Sequence, residues 1–199
     1  MGNPNFEAIE AAEFQNFFHQ HFFDSYRQYN EEDLEPVWRA GIREALIRPQ
    51  FHAREHLNAI LWMRDLRAGQ PQTRAAFDAR FYGLKTRTGS TRQKNYLAAY
   101  WPESREELHE MTATVSEGLG LFQQTFGFRS KTFVGCNYVW PDALEKHLSE
   151  LGVRQLQTQR GRTQPDPERD GKTVVRRHYT GQKNQYGQHY SVRNVLFEP

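Results

Sequence analysis

The sequence has little cysteine, no long apolar run and almost no net charge. Its single cysteine, Cys136, excludes an internal disulfide, and no apolar run approaches the ~18 residues that would span a membrane. The opening residues, 1–6, lack the basic and apolar segments of a signal peptide. We therefore expect a cytoplasmic protein without a membrane partner. The alternative is export by a leader that lies outside this sequence.

The small net charge of +2 hides an uneven distribution of charge. Residues 1–56 hold ten acidic and five basic side chains, whereas residues 154–193 hold nine Lys or Arg against three acids. Tyrosines are interleaved with this basic stretch. Such a pattern can bind nucleic acid or an anionic sugar, or it can be a solvated loop. No nucleic-acid motif accompanies the charge, so nucleic acid is not favoured as a partner.

The content of aromatic residues is high, at 14% of 199 residues. This length and composition predict one domain over residues 1–199, with a substantial core. Residues 6–29 form an aromatic segment with approximately helical spacing, carried by Phe14, Phe17, Phe18, Phe22, Tyr26 and Tyr29. We expect this segment to pack on the core, or to cover a sheet edge in a second subunit. A homo-oligomer is therefore one hypothesis.

Strand and helix signals alternate along the chain. We predict helices over 34–47, 54–68, 102–126 and 142–151, and strands over 50–52, 128–135, 153–158 and 189–197. Residues 85–95 and 160–172 are polar or rich in Pro and Gly and are predicted to be loops, so that 160–199 is a basic, irregular part. This order is typical of an α/β protein with mostly parallel strands, with too few units for a closed eight-fold barrel.

A pair of histidines, His52 and His56, follows the predicted strand at 50–52. On a helix, residues four apart share one face, so two imidazoles can reach one metal ion. Strand-to-helix junctions are also where α/β proteins usually bind ligands. The pattern predicts a divalent metal, zinc above all, as cofactor. The alternative is that either ring caps backbone groups or packs in a core.

The same residues spell His-x-x-Glu-His, the motif of inverted zinc metallopeptidases. In that class Glu55 would be the general base, and a glutamate on a later helix would be the third ligand. Glu117 comes earlier than the usual spacing and Glu145 comes later. Pro49 also precedes the motif closely, although the motif should lie inside a helix. The metallopeptidase is therefore the lesser alternative.

Several motifs together resemble a known family. They are the His-x-x-x-His pair in Gln50–Asn58, the run Phe128–Tyr138, the run Leu144–Val153 and the late segment Thr180–Asn184. In this order they are similar to the polysaccharide deacetylase-like (NodB-homology) family, in a divergent bacterial branch. The resemblance covers residues 45–160 and implies a partial or distorted (β/α) barrel with covering helices. It also implies that His52 and His56 bind the metal.

By this resemblance the activity would be metal-assisted removal of N- or O-acetyl groups from a polysaccharide or oligosaccharide. Candidate catalytic residues are Glu55, as a partner of a ligand histidine, Arg129, on the predicted strand, and Tyr138, whose backbone N–H would be an oxyanion donor. Candidate substrate-binding residues are Tyr138, Trp140, Gln182, Asn184 and Arg193.

The chain also departs from the family pattern. No Asp-Asp motif precedes His52, because Asp24 and Asp33 are isolated, and Gly135 stands where the family has an arginine. The family's late Leu-x-His motif would lie beyond Pro199. The resemblance thus implies that the chain corresponds to an internal portion of the full domain. It leaves open a second hypothesis, a non-catalytic relative that binds a polysaccharide or a protein partner.

Overall fold

The computed structural model describes residues 1–30, 33–84, 96–169 and 171–193. Its helices are α1 (Phe6–Ala11), α2 (Phe22–Asn30), α3 (Glu35–Arg43), α4 (Ala59–Arg67), α5 (Pro71–Asp78), α6 (Arg105–Phe126) and α7 (Asp142–Glu150). Its strands are β1 (Gly2–Pro4), β2 (His19–His21), β3 (Thr132–Val134), β4 (Gln155–Thr158), β5 (Gly161–Asp166), β6 (Lys172–Arg177) and β7 (His189–Val192). The predicted loop 85–95 lies outside the described residues.

A parallel sheet in the order β3-β4-β7 forms the centre of the fold. Phe133 pairs with Leu156, which pairs with Tyr190, and all three side chains are buried. Phe51 makes a parallel bridge to Phe133, so the predicted strand 50–52 is reduced to a single bridge at the sheet edge. The predicted mixture of helices with a parallel sheet is confirmed, but the strands are not mostly parallel, because β1 pairs antiparallel with β2 and β5 with β6. The strands of the described residues do not close into a barrel, and residues 194–199 of the last predicted strand lie outside them.

Helices α6 and α7 were predicted most accurately. Helix α6 begins after Ser104, whose side chain accepts a hydrogen bond from Glu107 N at 3.3 Å, and it ends at Gly127 with φ 76°. Helix α7 begins after Pro141, and Gly152 follows it with φ 90°. Ser at the N-cap and glycine in the left-handed region are local signals, so neighbouring residues suffice to define these ends.

The predicted helix at 54–68 starts later than expected. Helix α4 begins at Ala59 because the Asn58 side chain caps it, accepting from Leu61 N at 3.1 Å. The cap also anchors this end, since Asn58 Nδ2 donates to the Trp101 carbonyl at 3.1 Å. Residues 52–58 are therefore a non-helical connection, and His52 and His56 are not on a helix. The predicted end at Gly69 is confirmed, with φ 67°.

The aromatic segment at 6–29 is not one helix. Glu13 and Phe14 have φ of 50° and 62° and end the first helical stretch, and β2 then pairs antiparallel with β1 before α2 begins. Phe14 and Phe17 nevertheless pack against a buried aromatic cluster, whereas Phe18 and Tyr29 are exposed. Phe6 lies 5.1 Å from Phe77 and 6.0 Å from Trp62, measured between ring centroids. Packing on the core is confirmed for this first part of the segment.

The predicted loop at 160–172 is wrong. Strands β5 and β6 form an antiparallel hairpin in full register from Gly161 with Arg177 to Asp166 with Lys172. Its inward-facing residue near the start is Arg162, which is only 1% exposed. A buried charge breaks the hydrophobic alternation that identifies a strand. No helix of the described residues is long and apolar enough to cross a membrane.

Candidate metal centre

The carboxyl edge of the parallel sheet brings the two histidines to the single cysteine. His52 follows Phe51, which is bridged to β3, and Cys136 follows the end of β3 by two residues. Neighbouring parallel strands end at the same edge of a sheet, so both segments leave the sheet side by side. His52 and Cys136 are thus only one or two residues away from positions that the sheet holds in place.

His52 and His56 lie against each other although they are not on a helix. Their ring centroids are 4.7 Å apart, and the rings are inclined by 49°. His52 Nδ1 lies 2.7 Å from the Val134 carbonyl oxygen. A carbonyl oxygen only accepts, so Nδ1 carries the proton and donates. This leaves Nε2 of His52 with a free lone pair, the arrangement found in histidines that bind metals.

Cys136 completes a three-residue cluster with the two histidines. The ligand atoms of His52, His56 and Cys136 all lie within 4.8 Å of one another, so the cluster could hold a metal ion. Tetrahedral zinc with bond lengths of about 2.0–2.1 Å to nitrogen and 2.3 Å to sulfur separates its ligand atoms by about 3.3–3.6 Å. The largest separation exceeds this range by little more than one ångström. The three side chains would have to move closer together to hold zinc, and two imidazoles with one thiol are a donor set that zinc accepts.

The protonation states suit a metal site. Burial lowers the pKa of both imidazoles below the usual value, because the charged form loses its hydration. The neutral form, which is the form that binds a metal, is therefore favoured. Burial raises the pKa of the Cys136 thiol, so the thiol is uncharged without a metal. A bound cation would favour the thiolate.

The backbone after the cysteine is strained. Asn137 and Tyr138 both have φ of 54°, in the left-handed region that non-glycine residues rarely adopt. Tyr138 N donates to the Gly135 carbonyl at 2.8 Å, closing a short 3-10 turn. The backbone N–H of Tyr138 is thus already used, and the expected oxyanion-donor role is not supported in this conformation. Its half-buried side chain packs on the main core.

Glu55 lies between the two histidines but is paired elsewhere. It is 5% exposed, and Arg54 holds both of its oxygens, through Nε at 2.5 Å and Nη2 at 2.8 Å. Arg54 also donates to Glu117. Among the described residues, the metal-binding cluster contains no carboxylate. The metallopeptidase alternative is not supported, because Glu117 pairs with Arg54 and Glu145 belongs to a different buried group.

A cavity of about 450 Å³ opens beside this segment. Its wall includes Glu55, the aromatic side chains of Phe17 and Tyr100, and Ala99, whose backbone amide faces the Cys136 sulfur. The cavity combines apolar and polar groups, as ligand pockets usually do. It is large enough for a sugar ring, and its wall includes Glu55 and Leu57 on either side of His56 but none of His52, His56 and Cys136 themselves.

The structure does not bring Arg129 to the cluster. Arg129 is exposed and lies before the amino end of β3, whereas His52 and Cys136 lie at the carboxyl end. Its Nε donates to Gln123 Oε1 at 2.9 Å, across the end of α6. Arg193 is exposed just after β7, and its backbone N–H donates to the Thr158 carbonyl.

The other expected substrate-binding residues belong to a second cluster. Trp140 is fully buried, and its Nε1 donates to Glu145 Oε1 at 3.0 Å, so it cannot offer a ring face to a substrate in this conformation. Gln182 and Asn184 line a smaller cavity that also contains Glu145 and shares no lining residue with the larger one. The prediction from the sequence did not include Cys136 as a metal ligand. Its position directly after a strand end was the signal that could have identified it.

Comparison with known proteins adds no relative. A scan against protein-family models, a search of curated proteins and a search of solved structures each found no match.

Proposed function

We propose that this chain is a metal-dependent hydrolase of the polysaccharide deacetylase type, built on a partial (β/α) barrel. In this proposal zinc is held by His52, His56 and Cys136, and the substrate is an acetylated polysaccharide or oligosaccharide. The observation that carries it is the three-donor cluster at the carboxyl edge of the parallel sheet. Three protein ligands leave the fourth tetrahedral position open, which is typical of catalytic rather than structural zinc. A cytoplasmic location suits a thiol ligand, which must stay reduced.

The residues around the cluster have separate roles in this proposal. The Val134 carbonyl fixes the His52 ring, and the wall of the larger cavity, with Phe17 and Tyr100, binds the sugar. When bound, the metal would polarise an acetyl carbonyl and activate a water. Glu55 is the nearest candidate to take a proton, but Arg54 must first release one of its oxygens.

One observation favours a second function, a non-catalytic metal-binding or glycan-binding protein. The cluster contains no carboxylate among the described residues, and the only glutamate within the histidine motif is held by Arg54. Loss of a general base typically lowers a rate by ~10²–10⁴-fold. We therefore expect this chain to release acetate weakly. Strong release that survives His52→Ala would contradict the metal-dependent mechanism.

The metal content of the purified chain tests the proposal. We expect one zinc ion per chain, lost in His52→Ala/His56→Ala and retained in the matched control His109→Ala/His189→Ala, which removes two exposed imidazoles. After cobalt substitution, Cys136→Ser should abolish the near-ultraviolet sulfur-to-cobalt charge-transfer band. A wild-type chain that stays metal-free after zinc addition and dialysis would refute the site. A cobalt band that persists in Cys136→Ser would refute only the third ligand.

A further inference from the structure

A second group of charged side chains is buried between α7 and the β5–β6 hairpin. Arg162 is 1% exposed and stands at its centre. Its Nη2 donates to Asp142 Oδ1 at 2.5 Å and lies 3.2 Å from Glu145 Oε1, and its Nη1 donates to the Trp140 carbonyl at 2.6 Å. The two carboxylates are thereby paired with the guanidinium.

Glu145 is fully used as an acceptor within this group. The Tyr190 hydroxyl and Asn184 Nδ2 each donate to it at 2.8 Å, and Trp140 Nε1 donates at 3.0 Å. Together with Arg162, these donors fill the sites that a carboxylate offers. Glu145 therefore has little remaining capacity to bind a ligand, whereas Asp142 is paired through Oδ1 and its side chain is 44% exposed.

Three further side chains of this region carry hydrogen-bond donors. A cavity of about 200 Å³ adjoins the network and is lined also by Arg176, His178 and Lys183. Arg176 donates only to the Gln164 side-chain oxygen, at 3.0 Å. In the described part of the chain, neither Arg176 nor Lys183, both of which are exposed, has a carboxylate within ion-pair distance. Three cations and two carboxylates line the cavity, so its charged side chains sum to +1 with His178 neutral.

His178 adds a buried donor to the same cavity. It is 9% exposed and stacks on Tyr190, with ring centroids 3.9 Å apart. Arg162 Nε donates to its Nε2 at 3.4 Å, and a guanidinium cannot accept, so the proton of the neutral ring is on Nδ1. No described residue meets Nδ1 with good hydrogen-bond geometry, although the Gln182 side chain, which lines the same cavity, interacts with the ring. A buried donor without a well-aligned partner is unusual, and a ligand oxygen would satisfy it.

We propose that this cavity binds a small oxyanion, a carboxylate or phosphate group of the kind carried by acidic sugars. Lys183 and Arg176 neutralise its charge, and His178 Nδ1–H donates to one of its oxygens. The internal network gives Arg162, Asp142 and Glu145 their partners without a ligand. It provides no ionic partner for Lys183, Arg176 or His178. The site shares no residue with the metal-binding cluster and is independent of it.

The test titrates the full chain with inorganic phosphate, glucuronate and neutral N-acetylglucosamine at millimolar concentrations. Calorimetry gives the affinity, and ¹⁵N NMR of histidine-labelled protein follows His178 Nδ1. We expect an anion to bind and to shift the Nδ1 resonance. Arg176→Ala/Lys183→Ala should weaken this binding at least about 10-fold, since each charge-assisted hydrogen bond contributes strongly.

The matched control is Lys172→Ala/Arg177→Ala, which removes the same charge from exposed positions of β6 outside the cavity. It should bind like the wild type, and so should His52→Ala/His56→Ala, which separates this site from the metal. Binding of phosphate alone assigns the site to a phosphate group, and binding of glucuronate alone assigns it to a sugar acid. The proposal would be overturned if Arg176→Ala/Lys183→Ala and the control Lys172→Ala/Arg177→Ala lost the same affinity, or if the Nδ1 resonance did not shift. Binding of the neutral sugar alone, or no binding at all, would also overturn it.

Discussion

Replacing Arg162 by methionine tests the buried network most directly. The substitution keeps most of the side-chain volume but leaves the Glu145 carboxylate in a site where it is only 2% exposed. Removing one partner of a buried ion pair costs about 3–5 kcal/mol. Asp142 adds little to this figure because its side chain is 44% exposed and water can solvate it. For a chain of this size, we expect the melting temperature to fall by about 6–20 °C.

Urea denaturation, followed by circular dichroism, measures the loss for Arg162→Met. The control Arg177→Met removes an exposed arginine from the paired strand and should change stability by less than about 0.5 kcal/mol. Adding Glu145→Gln to Arg162→Met should restore part of the stability, because no unpaired charge then remains buried. If Arg162→Met loses less than about 1 kcal/mol, the network does not hold the hairpin to α7 and the reasoning is refuted.

Three further predictions concern single residues. Gly135→Ala should destabilise the chain by about 1–3 kcal/mol, because the new Cβ would overlap the Trp140 ring; an unchanged urea midpoint would contradict this contact. Asn58→Ala should lower the free energy of unfolding by about 1–3 kcal/mol, since it removes the cap of α4 and leaves the buried Trp101 carbonyl without its donor. Thermal melting measures the loss. A loss smaller than that of an alanine substitution at an exposed position would refute the capping role. Burial and then Arg162 lower the pKa of His178, so the unfolded state binds the proton more tightly and stability is lost as pH falls below 6.5. His178→Gln should therefore lose less stability between pH 7 and pH 5 than the wild type, and a parallel pH dependence of the two proteins would count against this assignment.

Helices α6 and α7 could be predicted from the sequence because their ends are determined locally. Ser104 and Gly127, or Pro141 and Gly152, act through residues within one turn. The β5–β6 hairpin could not be predicted in this way. Arg162 is tolerated inside it only because α7 brings acids that are close in space and distant along the chain.

The candidate metal site was predicted in part for the same reason. His52 and His56 are close in sequence, so their spacing alone indicated a metal, although the predicted helix between them does not form. Cys136 joins them through the pairing of Phe51 with β3, which the spacing of the histidines does not reveal. Trp140 was predicted to bind substrate, but it is fully buried.

The pairing of Phe51 with Phe133 has a consequence for the folding kinetics. It joins positions 82 residues apart, and the sheet is complete only when β7 has paired with β4. Contacts of such high sequence separation require a large loop to close and form slowly. We expect the imidazoles and the thiol to meet only when this long-range contact has formed. Metal uptake in a refolding experiment should follow the recovery of helical signal, and the bound ion would report on the completed sheet.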